Sequence, residues 1–319
     1  MGVRRVVVTG ANGFLGRHLV AAAEREGAAV LGIVRAAGQG QQASMASVLA
    51  DPSLLDGTDV LVHAAAIRHR HDATTTAYRA SNVDLVEALL RAAAGRVGRF
   101  IHVSSVGVYG FPTALPITEA SPFAPRTMYS QTKIEAEKLV TGLAKTLGLP
   151  FTIVRPTIIY GPGDTNGMLD KLAAMLRARR YLLVGSGENT LHHTYIDDVV
   201  EGIFTLASSK QADNDDFIIA GPETITLRRL GEMVGRLVDR RVPRVRVPLA
   251  LARVVAACFD VARYRRLAFT LREPPINNEK LDVMTVSIAF DPSKARAAGF
   301  TPRIGYEEGL ARTLRRDRS

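Results

Sequence analysis

Val6-Val7-Val8-Thr9-Gly10-Ala11-Asn12-Gly13-Phe14-Leu15-Gly16 is the stretch whose reading decides the fold of this 319-residue chain. Three β-branched residues in a row read as a buried strand. Glycines spaced three apart follow at once, and a helical pattern runs on from Phe14 to Glu26. Strand, glycine turn, helix is a phosphate-holding unit. The glycines let the backbone turn tightly and come close to a pyrophosphate, and the helix offers its N-terminal N–H groups and positive dipole end. The candidate phosphate-site residues are Gly10, Asn12, Gly13, Phe14, Leu15 and Gly16.

Outward from that unit, strand-like and helix-like segments alternate. Arg4–Thr9, Ala28–Arg35, Asp59–Ala64, Phe100–Ser104 and Phe151–Pro156 read as strands. Phe14–Glu26, Tyr78–Ala94 and Tyr129–Leu147 read as helices. Strands apolar on both faces and separated by helices predict a parallel sheet covered on both sides, a doubly wound α/β fold. After Pro156 the pattern becomes irregular and richer in proline. The expected organisation is a dinucleotide-binding domain over 1–162, to which 191–220 returns through a strand at Phe217–Ala220, and a smaller mixed α/β substrate lobe made of 163–190 and 221–319.

Composition narrows the function classes. Hydrophobic residues make up 47% of the chain and charged residues 23%, which excludes disorder as the whole answer. Cys258 is the single cysteine, so internal disulfides and cysteine-rich zinc modules are excluded. His69 and His71 have no cysteine or acid cluster beside them, and no metal is expected. The first apolar run is too short for a signal core, and no stretch is long enough to span a bilayer. A soluble cytoplasmic protein is expected. The net charge of +10 is concentrated: residues 228–272 hold twelve arginines, no lysine and three acids (Glu232, Asp239, Asp260). That places the charge away from the dinucleotide unit, so nucleic acid is not the expected partner. An anionic handle on a small-molecule substrate, or an acidic surface, fits it better. Leu249–Ala262 is apolar nearly all round, which suits buried core, the wall of an apolar pocket, or contact with a membrane surface.

Tyr129-Ser130-Gln131-Thr132-Lys133 puts a phenol and an ammonium on one face of a helix, at i and i+4. A phenol with a pKa near 10 is a weak base at neutral pH, and a neighbouring positive charge favours its ionised form. Tyr129 is therefore the candidate general acid/base, tuned by Lys133. The strand before this helix ends in Ser104-Ser105, whose hydroxyls can hold a substrate oxygen. The second strand ends at Arg35, and no acid lies between Ala28 and Gln42. Because an acid there suits a ribose 2′-hydroxyl and an arginine suits a 2′-phosphate, NADP is expected in preference to NAD.

Taken together these strings resemble an extended short-chain dehydrogenase/reductase of the NAD-dependent epimerase/dehydratase group. They are Thr9-Gly10-x-x-Gly13-x-x-Gly16, His63-Ala64-Ala65-Ala66, Ser104-Ser105-Val106-Gly107-Val108-Tyr109-Gly110, Tyr129-x-x-x-Lys133, Arg155-Pro156-x-x-x-Tyr160-Gly161-Pro162-Gly163 and Tyr195-Ile196-Asp197-Asp198-Val199. The resemblance implies a Rossmann fold of about seven strands, a nicotinamide cofactor, and a Ser–Tyr–Lys triad of Ser105, Tyr129 and Lys133. It also implies cofactor contacts at Ala64, Ala65, Ala66, Asn82, Ser104, Pro156 and Ile158, and dimerisation through the helices Tyr78–Ala94 and Tyr129–Leu147. Asn82 would support a proton-relay water, and Asp197 and Asp198 would cap the helix that follows them.

The departures from the family pattern carry the substrate argument. Dehydratases place an Asp-Glu pair after the triad hydroxyl, where this chain has Val106-Gly107. Many nucleotide-sugar epimerases have Asn where Ile158 stands, and Arg near Leu191 or His192-His193. The Asp that usually contacts adenine is replaced by Val48, with Asp51 nearby as a substitute. Arg272-Glu273-Pro274-Pro275-Ile276 and the Phe290-Asp291-x-Ser293-Lys294-Ala295 segment resemble 3β-hydroxysteroid dehydrogenase-like and 2-alkyl-3-oxoacyl reductase-like members. The expected activity is interconversion of a secondary alcohol and a ketone, with nucleotide-sugar 4-epimerisation as the alternative.

Overall fold

The structure is a computed structural model. It describes residues 3–35, 41–68, 74–111, 114–164, 167–243, 246–264, 281–282 and 285–314. His69 and His71, Arg272–Ile276 and the basic terminus after Leu314 lie outside the described residues.

The apolar runs become the strands they predict, shifted by a residue or two. β1 is Arg5–Thr9, β2 Ala29–Val34, β3 Gln42–Ser44, β4 Thr58–His63, β5 Val97–Val103, β6 Phe151–Pro156 and β7 Asp215–Ile219. They form one seven-stranded sheet in the order β7-β6-β5-β4-β1-β2-β3, with every pairing parallel. The return of the late strand is as expected: β7 pairs with β6, with Phe217 opposite Val154. Parallel strands need long crossovers, and helices supply them. These are α1 (Phe14–Arg25), α2 (Met45–Ala50), α3 (Thr75–Arg79), α4 (Leu85–Ala93) and α5 (Met128–Leu139), with α7 (Ile196–Ser208) before β7. A π-helical turn, Ala80–Asp84, joins α3 to α4. Another, Val140–Ala144, extends α5.

Central strands buried on both faces explain the continuous apolar runs. Val6, Val7 and Val8 are fully buried. On one face Val7, Leu61, Phe100 and Phe151 pack with Leu89 and Leu90 of α4 and with Val140 and Ala144 beyond α5. α1 and α7 pack together.

The chain divides into two compact units, Met1–Ile159 with His193–Pro222 and Phe290–Ile304, and Tyr160–His192 with Glu223–Ala289 and Gly305–Ser319. The sheet belongs to the first unit. The second holds α6 (Met168–Arg177), α8 (Leu227–Leu237), α9 (Leu249–Tyr264) and α11 (Tyr306–Leu314), while α10 (Ser293–Ala297) belongs to the first. α9 is two-sided. It buries the small residues Ala252 and Ala256 against Val184 and Leu281, while Leu251 and Val254 are 56% and 61% exposed. Its Arg253 pairs with Asp282 at 3.1 Å. Among the described residues no helix is long and apolar enough to cross a membrane.

Candidate active site

The turn after β1 is built by close approaches that only glycine permits. Gly10 has φ +71°, and a Cβ there would stand 3.0 Å from the backbone of Ala65. A Cβ on Gly16 would stand 2.0 Å from the Gly10 carbonyl oxygen. β1 and β4 are parallel neighbours, so the Gly10 turn and the Ala64–Ala66 segment after β4 meet at the same carboxyl end of the sheet. Thr9 ties them together: its hydroxyl accepts from the Ala65 N–H at 3.2 Å and bonds His63 Nδ1 at 2.8 Å. α1 starts at Phe14 behind Gly13, with no side-chain cap and no acid in its first turn. Its first N–H groups and dipole are thus not served by a side chain of the cap, as an anion site requires. Asn12 is exposed on the turn, and its amide oxygen accepts from Gln42 Nε2 at 3.1 Å. Arg35 is exposed just beyond β2. Val48 is fully buried in the core cluster, and Asp51 caps the turn Pro52–Leu55 by accepting from the Ser53 N–H at 3.1 Å.

The second group of residues gathers at the ends of β5 and β6. The Ser104 N–H donates to the Val154 carbonyl at 2.7 Å, and its buried hydroxyl has no protein partner. Ser105 opens the short helical turn Val106–Tyr109 and accepts from the Gly107 N–H at 3.1 Å. That leaves its hydroxyl hydrogen for another acceptor, and it bonds the side chain of Tyr129. Tyr129 lies in the first turn of α5, whose start is fixed by a capping box. Thr127 accepts from the Ser130 N–H, and Ser130 Oγ accepts from the Thr127 N–H, both at 3.1 Å. One turn on, Lys133 Nζ lies 5.9 Å from the Tyr129 ring centroid and donates to the Val103 carbonyl at 2.6 Å. Ser105, Tyr129 and Lys133 therefore lie together, the last two one helical turn apart on α5.

Their electrostatics are less simple. Burial raises the Tyr129 phenol above its ordinary value, opposed by the Arg68 charge and by the Ser105 hydrogen bond. Arg68, from the segment after β4, is a cation that lowers the phenol, a residue outside the Tyr129–Lys133 pair. Burial pulls Lys133 down to about 8, with Glu137 pushing the other way. His63 and His102 lie on β4 and β5 with rings stacked 5.7 Å apart. Burial and then the Lys133 charge hold His63 at about 3 and His102 well below its usual value, so both are neutral near pH 7.

Several expected roles change. Asn82 accepts from the Ile67 N–H at 2.8 Å and donates to the Ile67 carbonyl at 3.1 Å and to Thr132 Oγ1 at 3.0 Å. These bonds pin the segment that carries Arg68 to α5. Arg155 turns away into a buried network with Glu137, Tyr109 and Asp216, while Pro156 ends β6 and Ile158 is exposed. Asp198 does not cap α7. It accepts from the Arg303 and Ile304 N–H groups at 3.1 and 3.0 Å and so anchors the chain after α10. Thr132, Glu137 and Arg68 were missed by sequence reasoning. Glu137, at plus four, shares the α5 face of Lys133, and Thr132 lies three residues after Tyr129.

Comparison with known proteins adds the following. The model of the NAD dependent epimerase/dehydratase family matches residues 6–220. A Stigmatella aurantiaca 4-hydroxy-2-methyl-3-oxo-4-farnesyl-3,4-dihydroquinoline-1-oxide ketoreductase is 28% identical, covering 96% of this chain and 94% of that one. An Escherichia coli O157:H7 N-acetyl-alpha-D-glucosaminyl-diphospho-ditrans,octacis-undecaprenol 4-epimerase is 26% identical, covering 82% of this chain and 78% of that one. The crystal structure of Bacillus cereus UDP-glucuronic acid 4-epimerase in complex with NAD has the same fold: TM-score 0.77, 21% identity, 98% of this chain and 97% of that one.

Proposed function

We propose that this chain, which belongs to the NAD-dependent epimerase/dehydratase family and is an enzyme of its dehydrogenase, reductase or epimerase kind, interconverts a secondary alcohol and a ketone. The observation that carries the reading is the Ser105–Tyr129 hydrogen bond set one helical turn from a buried Lys133.

The residues present fit a nicotinamide dinucleotide. A side chain at Gly16 would overlap the Gly10 backbone, so α1 begins tight against the turn, and the buried Ser104 hydroxyl has no protein partner. Gly10, Asn12, Gly13, Phe14, Leu15 and Gly16 would hold the phosphates, and Arg35 a ribose 2′-phosphate, which favours NADP. Ala64, Ala65, Ala66, Ser104, Lys133, Pro156 and Ile158 would line the nicotinamide half, with Asn82 holding the Ala64–Arg68 segment in place. When bound, the nicotinamide supplies or takes the hydride. The chain's own part is the proton and the orientation. Ser105 donates to the substrate oxygen and orients it. Tyr129 gives that oxygen its proton in reduction and takes it in oxidation. Lys133 and Arg68 hold positive charge beside the phenol as the proton moves.

The substrate class follows from two supports. The Asp-Glu pair of dehydratases is replaced by Val106-Gly107, and a relative that covers nearly the whole chain is named as a ketoreductase of a farnesyl-bearing quinoline. An apolar ketone, with or without an anionic handle met by the 228–272 arginines, is the substrate proposed, and the second unit is the lobe that selects it. Homodimerisation through the α3–α4 and α5 helices is part of the proposal.

Nucleotide-sugar 4-epimerisation with the same residues is the second reading, favoured by the Escherichia coli relative. The two separate cleanly. A reductase consumes NADPH or NADH stoichiometrically with a ketone panel, whereas an epimerase converts UDP-sugars with no net change in nicotinamide absorbance. Within the first reading, Tyr129→Phe lowers turnover at least ~100-fold, the usual scale for a lost general acid, while NADPH titration still shows binding. Near-normal turnover in that variant would refute the assignment.

A further inference from the structure

Behind Lys133 lies a buried charge network that the proposed chemistry does not use. Glu137 is four residues beyond Lys133 on α5, and its side chain is 4% exposed. Arg155 of β6 grips it, with Nε 3.0 and 3.2 Å from its two oxygens and Nη2 at 2.7 Å from one of them. Arg155 Nη1 donates to Tyr109 Oη at 2.7 Å and pairs with Asp216 of β7. At the rim Lys294 of α10 meets Asp215 at 2.6 Å and Asp216 at 4.0 Å.

Stability does not explain this arrangement. Removing two ions from water costs several kcal/mol each, and a well-packed apolar pair of similar volume is commonly as stable. Its charge balance is more informative. Lys133 and Arg155 are the buried cations, and Glu137 and Asp216 are the anions that offset them. A Glu137–Arg155 pair alone would be neutral and would leave Lys133 uncompensated. With Asp216 drawn onto the far side of Arg155, the Glu137 charge is left over for Lys133.

Lys133 needs it. The groups facing it are the Val103 carbonyl and His102 from β5, His63 from β4, and Tyr129 and Glu137 from its own helix. The histidines are neutral and the phenol is un-ionised. Glu137 is the anion of this set.

We propose that Glu137, clamped by Arg155, is a positioning residue that supplies the negative charge keeping Lys133 an ammonium in its dry setting. The proposal rests on the reading of Lys133 as the cation that serves Tyr129. Its test needs neither substrate nor cofactor, so failure of the redox reading and failure of this one are told apart.

The chain has seven lysines, few enough to titrate individually by NMR after selective carbon-13 labelling. The Lys133 resonance is identified by its loss in full-length Lys133→Arg. In the native chain it titrates at about 8. In Glu137→Gln its midpoint falls by about one pH unit or more, the scale for a unit charge removed one helical turn away inside a protein. Glu137→Asp restores most of the shift. Asp216→Asn, at a half-buried rim position, moves the midpoint the same way by less. A purely structural role predicts an unmoved midpoint in every variant that keeps its near-ultraviolet circular dichroism. That result in Asp216→Asn and in a folded Glu137→Gln overturns the proposal. If Glu137→Gln does not fold, the direction of the Asp216→Asn shift decides alone.

Discussion

Gly16→Ala should separate cofactor binding from folding more sharply than any catalytic substitution. The added Cβ would stand 2.0 Å from the Gly10 oxygen, 2.7 Å from the Gly10 carbonyl carbon and 2.9 Å from Ala11 Cα. All three are backbone atoms, so no rotamer change relieves the clash. The Gly10 oxygen already accepts from the Gly13 N–H at 2.8 Å, and the Gly10 N–H is held by the Ile33 carbonyl at 2.9 Å. α1 must therefore withdraw from the turn by more than an ångström, at an overpacking cost of about 1–3 kcal/mol. For domains of this size that lowers Tm by about 2–4 °C per kcal/mol. The same withdrawal pulls the helix N-terminus away from the phosphate position, so NADPH affinity, read by fluorescence titration, drops at least ~10-fold, which is about 1.4 kcal/mol. Gly27→Ala is the control. Gly27 also has a positive φ, +80°, but open space around it, so it loses about 1 kcal/mol of stability and keeps full affinity. Unchanged affinity in Gly16→Ala would refute the phosphate-cradle reading.

Two further outcomes follow from the charged groups around the site. Arg68→Ala removes a cation that lowers the Tyr129 phenol, so the phenolate titration assigned to Tyr129, by difference against Tyr129→Phe, should move to higher pH; a shift downward or none would remove Arg68 from the site. His63 is held at about 3 when folded and returns to its ordinary 6.5 when unfolded, so below pH 6.5 the unfolded chain takes a proton that the folded one refuses. Stability should fall by about 1.4 kcal/mol per pH unit from this group as pH drops from 6.5 toward 3, and His63→Gln should flatten the dependence of the urea midpoint on pH.

What could be read in the sequence was what is local. The glycine turn and α1 occupy adjacent residues, and Tyr129 and Lys133 are one helical turn apart, so spacing alone places them. Strand positions were legible because β1, β4 and β6 are buried on both faces and their runs are uninterrupted. What escaped depends on register between distant strands. That His63 lies beside His102, that Thr9 bonds His63, and that Arg155 faces α5 rather than the cofactor side are set by the pairings of β4 with β1 and β5 and of β6 with β5 and β7. Asp198 looked like a helix cap because caps are local. Its partners, Arg303 and Ile304, are a hundred residues away. α9 looked uniformly apolar because composition cannot tell which face packs. The structure buries Ala252 and Ala256 and turns Leu251 and Val254 outward.

Burial acts on the two central groups in a way that bears on the direction of the chemistry. It disfavours charge on both, raising the Tyr129 phenol and lowering the Lys133 ammonium. A phenol held un-ionised is a proton donor in place, whereas the reverse reaction must first remove that proton against the same desolvation. On the proposed reading the resting site is poised for ketone reduction, provided Lys133 stays charged. Reduction then loses rate as pH rises through about 8, the Lys133 value, well before the phenol itself ionises. Glu137 and Arg68 act at opposite ends of this pair, one holding the ammonium charged and the other making the phenolate accessible when the proton leaves. Neither touches the reacting atoms in the proposed mechanism. Both are fixed by contacts outside it, Glu137 by Arg155 on β6 and Arg68 by the segment that Asn82 pins to α5. The carboxyl end of the sheet and α5 therefore set the protonation of the site as well as its shape.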